Sequence, residues 1–179
     1  VYATTCGSSC GVSLKMNVLS PPNRGMSHVG VATHDMETTI AFYTGILGFP
    51  VVADHVTEIG QGGRVRQVYF DIGVDTYFVF MESKGVHDIP EDFPTGINEA
   101  LGTPAGMFHF SFKVETRDEL ASRQKALGNL GIEVSDIIDL GHADSIFFFD
   151  PNNLQLEFCW HSRQFDASDM GKRASADLA

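Results

Sequence analysis

Two stretches of the chain repeat one another, and that repeat restricts the fold to a doubled unit. Residues 26–49 read Met-Ser-His-Val-Gly-Val-Ala-Thr, then His-Asp-Met-Glu-Thr-Thr-Ile-Ala-Phe-Tyr-Thr-Gly-Ile-Leu-Gly-Phe. Residues 107–132 read Met-Phe-His-Phe-Ser-Phe-Lys-Val, then Glu-Thr-Arg-Asp-Glu-Leu, and run on to Leu130-Gly131-Ile132. His28 and His109 are offset by 81 residues. Each copy opens with a short strand carrying a His near its start. Each continues into a capped amphipathic helix and stops at Leu-Gly.

The helix signals are local and physical. Asp35 is placed to cap the first helix, and Thr116 with Glu119 three residues on makes a capping box for the second. Ile40, Tyr43 and Leu47 recur at helical spacing, as do Leu120, Leu127 and Leu130. Gly48 and Gly131 are natural C-terminal stops. Strand signals follow each helix, at 49–59, 65–72 and 76–81 in the first half and at 132–138, 145–149 and 154–160 in the second. The turns at 73–75 and 150–153 have hairpin chemistry. The expected class is therefore α+β, with two tandem β-α-β-β-β units over 26–82 and 106–161.

The rest of the chain divides accordingly. Residues 1–25 read as an N-terminal extension, whose first 15 residues are expected to be a processing remnant or an upstream extension. Residues 83–105 are acidic, with Pro90, Pro94 and Pro104, and read as a connecting loop or lid, since about 20 irregular residues inside a compact domain are usually functional. Residues 162–179 read as a polar tail.

Charge and composition exclude several classes. Twelve Lys and Arg against 23 Asp and Glu leave a formal charge of -11, the wrong sign for a nucleic-acid backbone or an anionic membrane surface. No run approaches the ~20 apolar residues of a membrane-spanning helix. Three cysteines make no disulfide framework. Cys6 and Cys10 have the spacing of half a zinc site without a second half, and Cys159 reads as a buried small hydrophobe. That cysteine usage points to a reducing, cytoplasmic compartment.

Phe42-Tyr43 on the first helix, Leu47-Gly48-Phe49 after it, and Asp150-Pro151-Asn152 before a strand with Leu156-Glu157-Phe158 complete a pattern. It resembles the vicinal oxygen chelate superfamily of glyoxalase I, methylmalonyl-CoA epimerase, extradiol dioxygenases and the fosfomycin and bleomycin resistance proteins. The resemblance covers about residues 26–161. It implies that each unit curls into an open half-barrel, and that two units enclose a metal-binding cavity, within one chain or across a dimer. It implies ligands at the opening residue of each half, His28 and His109, and on the last strand of each half. There the second half offers Glu157. In the first half, a gap-free match over 70–82 puts Val79 at the fourth place. Glu82 is the second choice, and strand alternation turns it inward only if a bulge intervenes.

Alternation supports this assignment. Phe108, Phe110 and Phe112 share a face suited to packing under the helix, while His109, Ser111 and Lys113 share the other. Leu154, Leu156 and Phe158 likewise face away from Gln155, Glu157 and Cys159. A lone Glu in an apolar strand is costly to bury unless paired or on a metal. Any single His is explained by ordinary hydrogen bonding, but two at equivalent repeat positions plus one Glu point to a metal. Two imidazoles and one carboxylate suit non-haem Fe(II), and Zn, Mn, Ni or Co accept the same donors.

The three-ligand pattern resembles that of the ring-cleaving dioxygenases. Their acid–base His then corresponds to His142, while Phe147 stands where their Tyr would fall. Val79, Ser111, Lys113, Phe147 and Gln155 are the expected contacts to a small-molecule substrate. The runner-up is a glyoxalase- or epimerase-type lyase or isomerase acting through a metal-bound enediolate, which wants Glu82 turned inward. The third reading is a binding protein that sequesters a drug-like molecule without a metal. A homodimer is expected, because open half-barrels leave strand edges for a second subunit to cover.

Overall fold

The computed structural model describes residues 25–170, so Cys6 and Cys10 lie outside the described residues. The first unit runs β1 (His28–Ala32), α1 (Met36–Ile40) continued by a π-helical turn (Ala41–Ile46), β2 (Val51–Ile59), β3 (Gly63–Asp71) and β4 (Tyr77–Lys84). The connector carries a short helix, α2 (Ile97–Leu101). The second unit runs β5 (Phe110–Lys113), α3 (Arg117–Asn129), β6 (Ile138–Asp139), β7 (Ala143–Phe149) and β8 (Gln155–His161). The strand orders β1-β4-β3-β2 and β5-β8-β7-β6 repeat one topology, and both sheets stay open. In each, the first strand pairs parallel to the last and the other pairs are antiparallel. Among the described residues no helix is long and apolar enough to cross a membrane.

Both helix starts use the expected caps. The Asp35 carboxylate accepts the Thr38 N–H and hydroxyl, and these bonds from Thr38 hold its pKa below the usual value. The Thr116 hydroxyl accepts the Glu119 N–H. Glu119 reaches one residue further back than a capping box requires, accepting the Glu115 N–H, and pairs with Arg123. Thr116→Ala should cost about 1 kcal/mol, the usual value of a lost cap, visible as a melting-temperature drop of a few degrees. An unchanged melt would show that Glu119 alone holds this helix end.

Three local readings are corrected. The first helix is not α-helical to Leu47. It widens after Ile40, so that the Leu47 N–H reaches the Phe42 carbonyl and both Phe42 and Tyr43 enter the core. The strand expected at 132–138 shrinks to a bridge from Val134 to Phe148 and the two residues of β6. There the Ser135 hydroxyl takes the Phe147 N–H that a backbone carbonyl would have accepted. The connector is not wholly irregular, because it contains α2.

The two units share one core. The Phe78 ring lies 5.0 Å from Phe110 and 5.8 Å from Phe112, and Phe49 lies 5.0 Å from Phe112. Phe78, Phe110 and Phe112 belong to the helix-covered faces of their sheets. A buried polar seam crosses the same boundary. The Tyr43 hydroxyl donates to Asp150 at 3.0 Å, and the Asn152 amide donates to the Thr39 hydroxyl at 3.1 Å. With the helix-covered faces packed together, the opposite faces of the sheets lie on the far sides of the core.

Candidate functional site

The outward face of the second sheet carries a pair of ligand-type side chains. Ser111, Glu157 and Phe147 stand side by side across β5, β8 and β7. Glu157 is only 5% exposed, so its carboxylate depends on its partners. One oxygen accepts the Ser145 hydroxyl. The other lies 3.1 Å from His109 Nε2. His109 Nδ1 is 3.0 Å from the Gly106 carbonyl. A carbonyl only accepts, so this bond keeps a proton on Nδ1 and makes Nε2, the nitrogen that faces Glu157, the one available to a metal. Two electron-pair donors about 3 Å apart match the spacing of two atoms bound to one ion through bonds of ~2 Å. The pair therefore fits a divalent cation, and Phe147 walls it edge-on with its ring centroid 5.7 Å from that of His109.

His28 occupies the outward face of the other sheet. It is in register with Tyr77, and neighbouring Gly30 is in register with Val79. Its Nδ1 meets the Ser27 hydroxyl at 3.0 Å, and its ring lies 6.3 Å from Tyr69, which also contacts His55 and Tyr77. Val79 is buried on this face, so hydrocarbon stands where a fourth donor would be. Glu82 does not replace it. The β3–β4 register runs unbroken from Arg64↔Lys84 to Asp71↔Tyr77, and no bulge turns Glu82 inward. It shares the helix-side face with Phe78 and Phe80, accepting the Met36 N–H at 3.2 Å and pairing with Lys84 at 2.8 Å.

The structure thus joins His109 to Glu157 but does not bring His28 to them within one chain. Among the described residues no group of three or more His, Cys, Asp or Glu is placed to hold a metal ion. The reason is the packing of the units: the faces carrying the donors point away from the shared core. His142 is also apart. It precedes β7, against His161 and Phe165 at 5.9 and 4.9 Å, five residues and about 16 Å of strand from Phe147. Lys113 lies at that same end, lining a surface hollow of about 470 Å³ with His161, Arg163, Gln164 and Phe165. Gln155, expected at the substrate, instead bonds the Gly106 N–H.

Two partners of the pair escaped the sequence reading. Ser145 shares a face with Phe147 by simple alternation, a signal that could have found it. Asn98, which grips the residue before His109, had none, because it lies on a connector with no periodic pattern. The rest of the connector is tied along the seam between the units. His34 bonds the Phe93 carbonyl, Thr95 the Asn152 carbonyl, and Asn153 bonds Glu99.

A family model described as the Glyoxalase/Bleomycin resistance protein/Dioxygenase superfamily matches residues 25–158. The chain belongs to that superfamily. Among solved structures, this glyoxalase-superfamily chain is similar to SMU.1112c, at 23% identity and a TM-score of 0.58, covering 76% of this chain and 98% of that one. It is similar to a lactoylglutathione lyase from Agrobacterium tumefaciens, at 19% identity and 0.52, covering 78% and 95%. It is similar to TnmS3, an antibiotic binding protein from Streptomyces sp. CB03234, at 19% identity and 0.52, covering 77% and 96%. These likenesses are of fold, and the superfamily holds both enzymes and binding proteins. No curated protein matches the chain.

Proposed function

We propose that this superfamily member is a divalent-metal-dependent vicinal oxygen chelate enzyme of ring-cleaving type. Its site would be assembled in a homodimer from His28 of one protomer and His109 with Glu157 of the other. The observation that carries the reading is the 3.1 Å approach of His109 Nε2 to the Glu157 carboxylate on an outward sheet face, with the repeat-equivalent His28 on the other outward face. Fe(II) suits these donors best, and Zn, Mn, Ni or Co fit the same set.

His28, His109 and Glu157 would hold the metal, which would lower the pKa of two adjacent substrate oxygens and offset developing charge. The chain's own residues orient and shield the substrate. Ser145 holds Glu157 in place, Phe147 supplies an apolar wall beside His109, and Ser111 offers a hydroxyl in register with Glu157. Hydrocarbon at Val79 removes the carboxylate that would shuttle a proton from the fourth place, and Glu82 is committed to α1. Both facts favour ring cleavage over the lyase or isomerase reading. The aromatic face of Tyr69 and Tyr77 around His28 also supports a second reading, a binding protein that stacks a flat ligand.

Metal analysis of untagged protein and oxygen uptake with a catechol test the proposal. About one metal per chain with oxygen consumption is expected, one full donor set per chain. Metal without oxygen uptake would move the protein to the lyase or isomerase class. Ligand binding by metal-free protein would move it to the binding class.

A further inference from the structure

The two repeat histidines are held by different means. His28 lies within β1, in ladder register with Tyr77. His109 lies outside its strand, because the β5–β8 register begins at Phe110↔Leu156. The ladder therefore starts one residue past the imidazole, and the loop before it, 104–108, has no strand neighbour.

Two buried amide side chains stand in for one. Asn98, 7% exposed, donates from Nδ2 to the Phe108 carbonyl at 2.7 Å and accepts the Phe108 N–H on Oδ1 at 3.0 Å. The Thr103 hydroxyl donates to the same Oδ1 at 3.2 Å, which fixes the orientation of the amide. Gln155, 8% exposed, accepts the Gly106 N–H, and the Gly106 carbonyl takes the proton on His109 Nδ1. Gly106 sits at φ +92, where a side chain would be strained, so its N–H and C=O can point in these two directions at little cost. Gln155 is also two residues before Glu157 on β8. One strand face therefore carries both the carboxylate and the anchor of the imidazole beside it.

We infer that Asn98 and Gln155 are positioning residues for His109, acting through Phe108 and Gly106 to aim Nε2 at the Glu157 carboxylate. This inference rests on the proposed metal site. Groups that orient a ligating imidazole from behind typically change metal affinity 10–100-fold when removed. A residue that only satisfies buried hydrogen bonds changes the melting temperature and leaves that affinity alone.

The experiment is a Co(II) titration of the full metal-free chain, followed by visible absorption well below the melting temperature. The proteins are wild type, Asn98→Ala, Gln155→Ala, Gln155→Glu, His109→Ala and, as a control from the buried seam, Thr39→Ala. Wild type should bind cobalt, and His109→Ala should not. Asn98→Ala and Gln155→Ala should bind about 10–100-fold more weakly. Gln155→Glu should bind more tightly than Gln155→Ala, because its carboxylate still accepts the Gly106 N–H. Thr39→Ala should melt earlier with its cobalt affinity unchanged. Should Asn98→Ala fail to fold, the Gln155 pair decides the matter. Wild-type affinity in both alanine variants would overturn the inference and leave the metal site standing. A wild-type protein that takes up no cobalt would overturn the metal site and the inference together.

Discussion

An equimolar mixture of His28→Ala and Glu157→Ala proteins, allowed to exchange subunits, should regain tight Co(II) sites that neither protein has alone. The two faces bearing the donors back onto a shared core through Phe49, Phe78, Phe110 and Phe112, so one chain does not complete the set. In a two-fold dimer that pairs the first-unit face of one chain with the second-unit face of the other, each site draws on both chains. A mixed dimer then carries one intact site and one lacking both ligands. Random exchange makes half the dimers mixed, so about a quarter of the wild-type sites should return. If each site were completed within one chain, every site in the mixture would lack a ligand. Mass spectrometry showing mixed dimers without recovered cobalt binding would sink the shared-site arrangement.

Asp150→Ala should be among the most damaging single changes to the fold. The Asp150 carboxylate accepts the Tyr43 hydroxyl, the Asn152 and Leu154 N–H groups and the Asn152 side-chain amide. It joins the hairpin of the second unit to the first helix of the other. Removing it strands several buried donors, each worth about 1–3 kcal/mol when left unpaired. Shared relaxation reduces the sum, and a loss of about 3–5 kcal/mol is expected. A melting-temperature drop of about 10 °C follows for a chain of this size.

The same residue gives an acid-range signature. Burial raises the Asp150 pKa above its usual value, and the hydrogen bonds from Asn152, Leu154 and Tyr43 only partly offset that. A carboxyl with a raised folded-state pKa binds its proton more tightly in the native state than in the unfolded chain. Its stabilising contribution is complete below the unfolded pKa and fades as pH rises through the folded one. Asp150→Asn keeps a similar shape and removes that titration. The stability difference between wild type and Asp150→Asn should therefore shift against wild type as pH rises through this window. Melts of the two proteins across the acid range measure it. A constant difference would mean that the carboxyl titrates alike in both states.

Features set by neighbours along the chain were legible before any coordinates. The doubled unit follows from matched strand, cap and stop signals. The caps at Asp35 and Thr116 are local chemistry, and both form. Period-two alternation separated His109, Ser111 and Glu157 from the phenylalanines beneath them, and it also set Val79 and Glu82 on opposite faces. It could not say whether a bulge intervened, because a bulge depends on the partner strand. The widened turn at Ala41–Ile46 seats Tyr43 on Phe78 and Asp150, far along the chain, while the shortened β6 and the grip of Asn98 on Phe108 rest on nearer partners that follow no helical or strand period.

The amino-acid sequence by itself determined that this chain builds two like units, each opening on a histidine, with Glu157 on the same sheet face as the second. Only the tertiary structure decided which faces of those units meet. Both faces of each sheet carry enough side chains to pack. The choice follows from the apolar area that Phe49, Phe78, Phe110 and Phe112 remove from water across the boundary, and from the hydrogen bonds that Tyr43, Thr39, Asp150 and Asn152 complete there. Those are sums over residues well separated along the chain, the hydrogen-bonded ones by 107 and 113 positions, and no local pattern contains them.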